Sequence, residues 1–201
     1  MIAILDYGVG NLKNVYTALT NIQLDAVITS NISEVNHAQG IILPGVGAFQ
    51  DAMEHLIQSG LVDCIKENVN KGKPLLGICL GMQMLFDCSY EDGKWDGLGL
   101  MSGEVVRFSN ELKVPHMGWN SLHRNKDHLL IKDVQEGEYV YFVHSYYVKE
   151  KYPDNVLLYT EYGIRVPAVV SKDNVFGMQF HPEKSSNTGL KLLQNFKELI
   201  K

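Results

Sequence analysis

The feature that most constrains this chain is the stretch over residues 73–86, which reads KPLLGICLGMQMLF. It begins as an apolar run too short for a helix and passes through Gly-x-Cys-x-Gly at residues 77–81. The residues that follow favour helix formation and include no proline, so the pattern predicts a strand, a sharp turn and a helix. The thiol of Cys79 is therefore expected at the tip of a turn.

A turn of this kind can both present a thiol and activate it. The same geometry with serine in the middle is the nucleophile elbow of hydrolases, in which flanking glycines permit a strained reversal of the backbone. A cysteine at a helix N-terminus becomes a better nucleophile because the helix end favours the thiolate. From this stretch alone, a reactive Cys79 and a buried structural Cys79 are equally good interpretations.

Strands and helices alternate up to about residue 87. Besides the strand before Cys79, apolar runs predict strands at residues 1–5, 24–28 and 41–43. Apolar residues at helical spacing predict a helix after the first strand, another with Phe49 and Ile57 on its apolar face, and a third over 61–69. Such alternation is typical of a parallel sheet covered by helices on both faces.

The second half of the chain has a different residue pattern, in which strands predominate. Residues 89–97 are polar and contain glycine, which predicts a loop. Short runs rich in Val, Phe and Tyr then predict strands, with a hairpin around residues 171–174 and an amphipathic helix at the end of the chain. The predicted strands lie at residues 138–147, 156–162, 166–170 and 175–180. The predicted fold is a three-layer, flavodoxin-like α/β open sheet, largely parallel, with antiparallel strands added in the C-terminal half.

Composition excludes several classes of function. The 201 residues, 45% hydrophobic and 20% charged, predict one domain over residues 1–201. The net charge is −5 without a basic block, which argues against a nucleic-acid partner. Three cysteines without Cys-x-x-Cys suggest neither a disulfide framework nor a zinc site, and no metal or cofactor is expected. Without a leader or a long apolar stretch, we expect a cytoplasmic protein with no membrane partner.

A nucleophilic cysteine needs a base, and His181 is the best placed of the seven histidines. It follows a predicted strand, is held by Pro182, and has Glu183 two residues further on. The carboxyl ends of strands in an open α/β sheet share the edge where such folds carry their sites. A carboxylate beside the imidazole could fix its tautomer and stabilise the imidazolium. His-Pro-Glu alone is more often a turn.

The stretch Pro44-Gly45-Val46-Gly47 could supply an oxyanion hole. A strand that runs into such a loop frees backbone N–H groups, and the N–H of Leu80, the residue after the thiol, would be the second donor. An ordinary loop after a strand is an equally good interpretation. The similar Gly8-Val9-Gly10 segment lacks the third glycine and the acidic residue of a dinucleotide site, so a nicotinamide cofactor is rejected.

Two further stretches concentrate aromatic, histidine and amide side chains. Residues 114–120 read VPHMGWN and residues 139–147 read YVYFVHSYY. Such residues on strands can form a packed core in which the polar ends of the tyrosine and histidine side chains are hydrogen-bonded. Aromatic residues with polar tips equally suit the rim of a site or a protein interface.

Together these motifs resemble the class I (triad) glutamine amidotransferases. The match rests on GICLGMQ at residues 77–83, FHPE at 180–183, PGVGAF at 44–49, PHMGWN at 115–120 and YFVHSY at 141–146. With DYGVGN at residues 6–11 it narrows to the glutaminase subunits that serve a cyclase in histidine biosynthesis. The resemblance runs from residue 1 to the terminal helix.

The resemblance implies a role for each matching residue. It implies Cys79 as nucleophile, His181 as acid and base, and Glu183 as the orienting carboxylate. The oxyanion and glutamine-binding residues that it implies are Gly45, Val46, Gly47, Leu80, Gln83, Glu91, His144 and Ser145. The partner-interface residues that it implies are Asn11, Trp119, Tyr141 and Lys184.

The resemblance also implies a reaction and a partner. Glutamine would be hydrolysed through a cysteinyl thioester, and the ammonia would pass to a (β/α)8 barrel cyclase in a heterodimer. A glutaminase that waits for its partner's substrate needs an oxyanion loop that can move, and Gly45 and Gly47 would permit this.

Three alternatives remain open from the sequence. A paralogous glutaminase subunit could feed ammonia to a different acceptor enzyme, since the triad does not specify where ammonia goes. A cysteine peptidase or deglycase on a similar sheet would not need the pocket of Gln83, His144 and Ser145. A non-catalytic flavodoxin-like binding module would contain Cys79 as a structural residue.

Overall fold

A computed structural model describes residues 1–200 of the chain. The last residue of the predicted single domain, residue 201, lies outside the described residues. The strands are β1 (Ile2–Leu5), β2 (Ala26–Thr29), β3 (Gly40–Gly45), β4 (Leu75–Cys79), β5 (Cys88–Ser89), β6 (Trp95–Asp96), β7 (Gly103–Arg107), β8 (His116–Ser121), β9 (His123–Arg124), β10 (Tyr139–His144), β11 (Tyr146–Glu150), β12 (Val156–Glu161), β13 (Arg165–Lys172) and β14 (Val175–Met178).

The helices are of very unequal length. The α-helices are α1 (Leu12–Asn21), α2 (Ile32–His37), α3 (Phe49–Gln58), α4 (Leu61–Asn70), α5 (Leu80–Gln83) and α6 (Ser186–Leu199). Single 3-10 turns lie at Leu129–Ile131, Pro153–Asn155 and Pro182–Lys184. No helix within residues 1–200 is long and apolar enough to cross a membrane.

The main sheet has eight strands in the order β2-β1-β3-β4-β14-β13-β12-β9. The first five are mutually parallel, and the remaining three add on as antiparallel strands. One apolar core cluster packs α3 and α4 on one face of this sheet, and a second packs α1 and α6 on the other. The prediction of a three-layer, largely parallel α/β sheet with antiparallel strands in the C-terminal half is confirmed.

Two smaller sheets lie beside the main one. Strands β8 and β10 form an antiparallel ribbon, and β11, β7, β5 and β6 form a four-stranded sheet. Residues 89–97 were predicted to be only a loop, and this is wrong because β5 and β6 pair antiparallel across them. Short strands of two residues carry no periodicity that a sequence pattern could reveal.

Two helical predictions need correction, and one helix was not predicted. The run after Cys79 forms only the single turn α5, since the N–H groups of Leu85 and Phe86 bond three residues back, to Met82 and Gln83, and do not continue the α-helix. The side chain of Ile57 is 61% exposed and lies outside the buried face of α3, which Phe49 and Leu56 form. Helix α2 was not predicted, although Asn31 caps it by accepting a hydrogen bond from the N–H of Ser33 at 2.8 Å.

The predicted strand over residues 138–147 is in fact two strands. The strand is interrupted at Ser145. Strand β10 pairs with β8, whereas β11 pairs with β7 in a different sheet. An unbroken run of aromatic and β-branched residues shows no turn signal, so pattern alone could not locate the break. At the break, the carbonyl oxygen of Ser145 accepts from the N–H of Phe108 at 3.2 Å.

Strands β3, β4 and β14 are neighbours whose carboxyl ends lie at one edge. Their register pairs Gly45 with Cys79, and Met178 with Ile78. The Pro-Gly-Val-Gly loop, the thiol of Cys79 and the segment that leads to His181 therefore leave the sheet side by side. This is the edge at which open α/β sheets place their ligands.

Candidate active site

Cys79 occupies a strained turn between β4 and α5. Its backbone has φ +55° and ψ −114°, a conformation that non-glycine residues rarely adopt. A Cβ on Gly81 would lie 1.9 Å from the carbonyl oxygen of Leu43, and one on Gly77 would lie 2.5 Å from the carbonyl oxygen of Gly81. The two glycines of Gly-x-Cys-x-Gly are therefore required by close backbone approach as the chain reverses next to β3.

His181 and Glu183 form a buried pair next to this thiol. The Nδ1 of His181 lies 2.9 Å from the Oε1 of Glu183, and the two side chains are 4% and 1% exposed. Asn11 approaches the same carboxylate oxygen, with its amide Nδ2 at 3.5 Å. The backbone turn over Pro182–Lys184 directs the Glu183 side chain back towards the imidazole.

The pKa of His181 is raised to about 9. Burial, the largest single influence, favours the neutral ring. It is outweighed by hydrogen bonds to Cys79 and Glu183 and by the negative charge of both groups. The imidazole of His181 is therefore protonated at neutral pH and can donate a proton to a leaving group at the thiol.

The loop after β3 lies beside Cys79. Gly45 is the last residue of β3, and a Cβ there would lie 2.7 Å from the N of Gly81. Gly47 has φ +90° with no atom within 4 Å of the site of a Cβ, and Val46 is exposed. A side chain is thus excluded at Gly45 by close packing, whereas the surroundings of Gly47 are open. Movement of the loop at these two glycines stays a prediction.

A cavity of about 360 Å³ opens at this edge of the sheet. Its lining contains most of the oxyanion, pocket and triad residues expected from the sequence, together with three that were not expected. The lining residues are Val46, Gly47, Cys79, Leu80, Gln83, Glu91, Pro115, Val143, His144, Ser145, Tyr146 and His181. Gly45 does not line the cavity, and neither does Glu183, which contacts the Nδ1 of His181. Pro115, Val143 and Tyr146 lie in the two stretches that suit either a packed core or the rim of a site, and the sequence did not single them out individually.

Two of the lining residues have anchoring contacts within the protein. The Nε2 of Gln83 donates to the carbonyl oxygen of Tyr146 at 2.9 Å and to the Oε1 of Gln179 at 3.0 Å. The Oε2 of Glu91 accepts from the N–H of Phe49 at 2.8 Å, and so caps the N-terminus of α3. Burial raises the pKa of the Glu91 carboxyl, against the effect of the Phe49 amide.

The ribbon of β8 and β10 presents an exposed apolar face beside this site. We call it the ribbon face, and it comprises Met117, Trp119, Ser121, Tyr139, Tyr141 and Val143, which are cross-strand pairs. Met117, Trp119 and Tyr139 are 61%, 52% and 58% exposed. The rings of Trp119 and Tyr141 meet edge to face at 6.1 Å. The carbonyl oxygen of Tyr141 accepts from the N–H of His181 at 3.2 Å, which ties the ribbon face to the catalytic pair.

The four residues expected at a partner interface do not all lie on this face. Trp119 and Tyr141 belong to it, whereas Asn11 contacts Glu183, and the exposed Lys184 is the last residue of the turn over Pro182–Lys184. Asn11 and Lys184 lie instead next to the pair of His181 and Glu183. No group of three His, Cys, Asp or Glu side chains within residues 1–200 is arranged to hold a metal ion.

This arrangement is suited to acyl transfer from an amide. The thiol, a hydrogen-bonded imidazolium and backbone N–H groups next to the thiol meet at one cavity. Leu80 is the first residue of α5, so its N–H has no acceptor within the helix. The cavity walls also carry amide, carboxylate and hydroxyl groups that could recognise a small polar substrate.

Comparisons with known proteins agree with one another. The chain matches the family "Glutamine amidotransferase class-I" over residues 3–199. It is 54% identical over 201 residues to the "Imidazole glycerol phosphate synthase subunit HisH" of Caldanaerobacter subterraneus subsp. tengcongensis, with 100% of this chain and 99% of that protein covered. The protein of the same description from Oceanobacillus iheyensis is 49% identical, with both chains fully covered at 100%.

Two solved structures show the same fold at low sequence identity. "Crystal structure of glutamine amidotransferase" superposes with a TM-score of 0.79 at 18% identity and covers 99% of this chain and 98% of that one. "Structure of PurLQS from Thermotoga maritima" superposes with a TM-score of 0.76 at 22% identity and covers 100% of this chain and 98% of that one.

Proposed function

The chain belongs to the class I glutamine amidotransferase family, and from that premise we propose that it is the glutaminase subunit of an imidazole glycerol phosphate synthase. The family resemblance of its motifs is confirmed by these matches. It hydrolyses glutamine to glutamate and ammonia, as a single domain in the cytoplasm. It delivers the ammonia to the cyclase subunit, a (β/α)8 barrel, which forms imidazole glycerol phosphate and an aminoimidazole carboxamide ribotide in histidine biosynthesis.

One observation carries the chemical part of this proposal. The thiol of Cys79 stands on a strained turn and lines the same cavity as the imidazole of His181, whose Nδ1 contacts the buried carboxylate of Glu183 at 2.9 Å. A triad of this kind serves to form and cleave an acyl-enzyme.

In the first half of the reaction the thiolate of Cys79 attacks the side-chain amide carbon of glutamine. The N–H of Leu80 and N–H groups of the Pro-Gly-Val-Gly loop hold the oxyanion that forms on the amide oxygen. The imidazolium of His181 donates its proton to the amide nitrogen as the C–N bond breaks. Ammonia leaves, and a glutamyl thioester remains on Cys79.

In the second half, the neutral imidazole of His181 takes a proton from water as the water attacks the thioester carbon. The tetrahedral intermediate collapses, the C–S bond breaks, and glutamate leaves while the thiolate returns beside the imidazolium. Glu183 accepts the hydrogen bond of Nδ1 throughout, so that Nε2 is the nitrogen that exchanges the proton.

The glutamine is held by the walls of the cavity. Gln83, Glu91, His144 and Ser145 supply the polar groups, and we assign to them the recognition of the substrate's amino and carboxylate groups. The ribbon face takes the cyclase partner, since it is exposed, aromatic and tied through Tyr141 to His181. Docking there would cover the site, so ammonia would reach the partner before it is protonated and lost to solvent.

The test is a glutaminase assay of the subunit with and without a barrel cyclase and its nucleotide substrate. We expect glutamate release that the partner stimulates, and its loss in Cys79→Ala, whereas the complex of Cys79→Ala still makes imidazole product from added ammonium salts. A glutamine-analogue electrophile should label Cys79 in the presence of the partner. Absence of a stimulating cyclase would favour a paralogous subunit, and absence of any adduct or glutamate would refute the glutaminase.

A further inference from the structure

Two buried histidines face each other beneath the ribbon. His116 of β8 and His144 of β10 are a cross-strand pair, 3% and 7% exposed, and the Nδ1 of His116 lies 3.1 Å from the Nε2 of His144. His144 lines the cavity, whereas His116 does not. No step of the mechanism uses His116.

The direction of every hydrogen bond in this pair follows from one carbonyl. The Nδ1 of His144 lies 2.8 Å from the carbonyl oxygen of Tyr146, which can only accept, so this Nδ1 carries a proton. In a neutral ring the Nε2 of His144 is then an acceptor, and the Nδ1 of His116 must donate to it. The Nε2 of His116 is in turn an acceptor for the amide Nδ2 of Asn120, at 3.4 Å.

The outer end of the chain of hydrogen bonds is oriented as firmly as the inner end. The Oδ1 of Asn120 accepts from the N–H of Ser121 at 2.8 Å, and its Nδ2 also donates to the carbonyl oxygen of Glu161 at 3.0 Å. The amide of Asn120 therefore cannot be flipped without loss of both bonds. Both ends specify the same pair of tautomers.

Both rings are neutral, as this arrangement requires. Burial lowers the pKa of His116 to about 4 and that of His144 to about 3. The ring of His116 is stacked between Phe142 at 4.7 Å and Tyr162 at 4.0 Å. The stacking fixes the plane of the imidazole, so the ring is held both in orientation and in tautomer.

The chain of hydrogen bonds ends at the wall of the glutamine pocket. The carbonyl oxygen of Tyr146 that accepts from His144 also accepts from the Nε2 of Gln83. This carbonyl lies where the break at Ser145 separates β10 from β11. The two donors hold the break in place from opposite sides, His144 from beneath the ribbon and Gln83 from α5.

We propose that His116 is a positioning residue of the glutamine pocket, which acts through His144 to hold the Ser145 and Tyr146 backbone against Gln83. The inference rests on the proposed function, in that the cavity is taken to bind glutamine. Removal of the His116 donor leaves a buried acceptor on His144 unpaired, so the ring of His144 and the carbonyl that it holds lose their fixed positions. Cys79 and His181, which carry out the reaction, are not part of this series of hydrogen bonds.

Three substitutions separate the hydrogen bonds of His116 from its bulk. His116→Phe retains the stacked ring and loses both bonds. His116→Asn places an amide N–H near the position of Nδ1 and can still donate to His144, whereas His116→Gln places its amide near Nε2 and reaches only Asn120. His123→Phe, which removes an imidazole beside Tyr159 on a neighbouring strand, is the control for loss of a histidine away from the pocket.

The kinetic expectation is a separation of KM from kcat in the complex with the cyclase. His116→Phe and His116→Gln should raise the KM for glutamine about tenfold, with kcat within about twofold of the wild type. His116→Asn should restore a KM close to that of the wild type, and His123→Phe should not change it. An equal KM for the Asn and Gln variants, or a loss confined to kcat, would overturn the proposal.

Long-range ¹H–¹⁵N spectra of the histidine rings provide a test that does not depend on activity. Both His116 and His144 should be neutral Nδ1–H tautomers with slowly exchanging N–H protons, and His116→Phe should shift the His144 signal. An Nε2–H tautomer at either ring would refute the proposed chain of hydrogen bonds, here called the relay, even if the enzyme is a glutaminase. If the wild-type complex releases no glutamate, the proposed function fails, and these spectra still decide whether the relay exists.

Discussion

The phenol of Tyr7 donates a 2.6 Å hydrogen bond to the carbonyl oxygen of Pro44, the next-to-last residue of β3, just before the oxyanion loop. Tyr7 is 5% exposed and lies close enough to Cys79 for the charge of the thiolate to raise the pKa of the phenol, in addition to the larger effect of burial. The hydrogen bond anchors the end of β3, from which the oxyanion loop continues through Val46 and Gly47.

Substitution Tyr7→Phe should therefore impair catalysis more than substrate binding. Without the anchor, the loop N–H groups are less well placed for the oxyanion, and we expect kcat of the partner-stimulated glutaminase to fall about tenfold with little change in KM. Steady-state kinetics of the complex would measure both constants. A fall in affinity for glutamine with kcat intact would contradict this role for Tyr7.

Gly47→Ala should reduce the response to the partner. Alanine is strained at φ +90°, so the loop loses conformations that it needs, and the ratio of stimulated to basal glutaminase should fall. Gly72→Ala is the matched control, since Gly72 has φ +87°, has equally open surroundings and lies between α4 and β4. Both variants should lose about 1 kcal/mol of folding free energy. An unchanged stimulation ratio in Gly47→Ala would show that the loop does not rearrange.

Glu183→Gln should move the pH profile of the glutaminase. Glu183 helps to raise the pKa of His181 to about 9 by accepting the hydrogen bond of its ring and by its negative charge. Its neutral replacement lowers that pKa, so the imidazolium that protonates the leaving ammonia is lost at a lower pH. The alkaline limb of kcat/KM should shift downward in pH, and the maximum rate should fall about 100-fold. A profile with the wild-type alkaline limb would argue that His181 is not the titrating group.

The same pair makes a stability contribution whose sign is fixed by the raised pKa. Because the folded pKa of about 9 lies above the unfolded value of about 6.5, the contribution is complete below pH 6.5 and is lost as the pH rises through 9. The difference in thermal stability between the wild type and Glu183→Gln should therefore be larger at pH 6 than at pH 10. A difference that grows with pH would contradict this assignment.

Trp119→Ala should weaken the complex with the cyclase. A large exposed aromatic residue at the centre of an interface contributes more than about 2 kcal/mol, so the Kd should rise about 30-fold. Tyr152→Ala is the control, because Tyr152 is also 52% exposed but lies in a turn away from the ribbon face. Titration of labelled cyclase with each variant measures the two Kd values. Equal effects of the two substitutions would place the partner elsewhere.

The local chemistry of the site could be predicted from short segments of sequence. Glycines on both sides of Cys79 indicate a backbone reversal because only a residue without a Cβ fits there, as the distances at Gly77 and Gly81 show. The motif His-Pro-Glu places His181 and Glu183 two residues apart, so their contact is also local. Such features depend on the residues next to one another along the chain, and periodicity extends the same reasoning to whole strands and helices.

Contacts between distant segments were not accessible in this way. Tyr7 and Pro44, His116 and His144, and Gln83 and Tyr146 are brought together by strand register and by the break at Ser145. A shift of one residue in the pairing of β8 with β10 would turn His116 to the exposed ribbon face, and no sequence pattern specifies that register.

The sequence by itself thus determined the reactive turn, the triad residues and the layered α/β sheet, since local sterics and hydrophobic periodicity decide them. Only the tertiary structure decided which groups hold the oxyanion loop and the pocket walls. Those groups are uncharged side chains and backbone carbonyls with many possible partners, and burial in one particular packing selects among them.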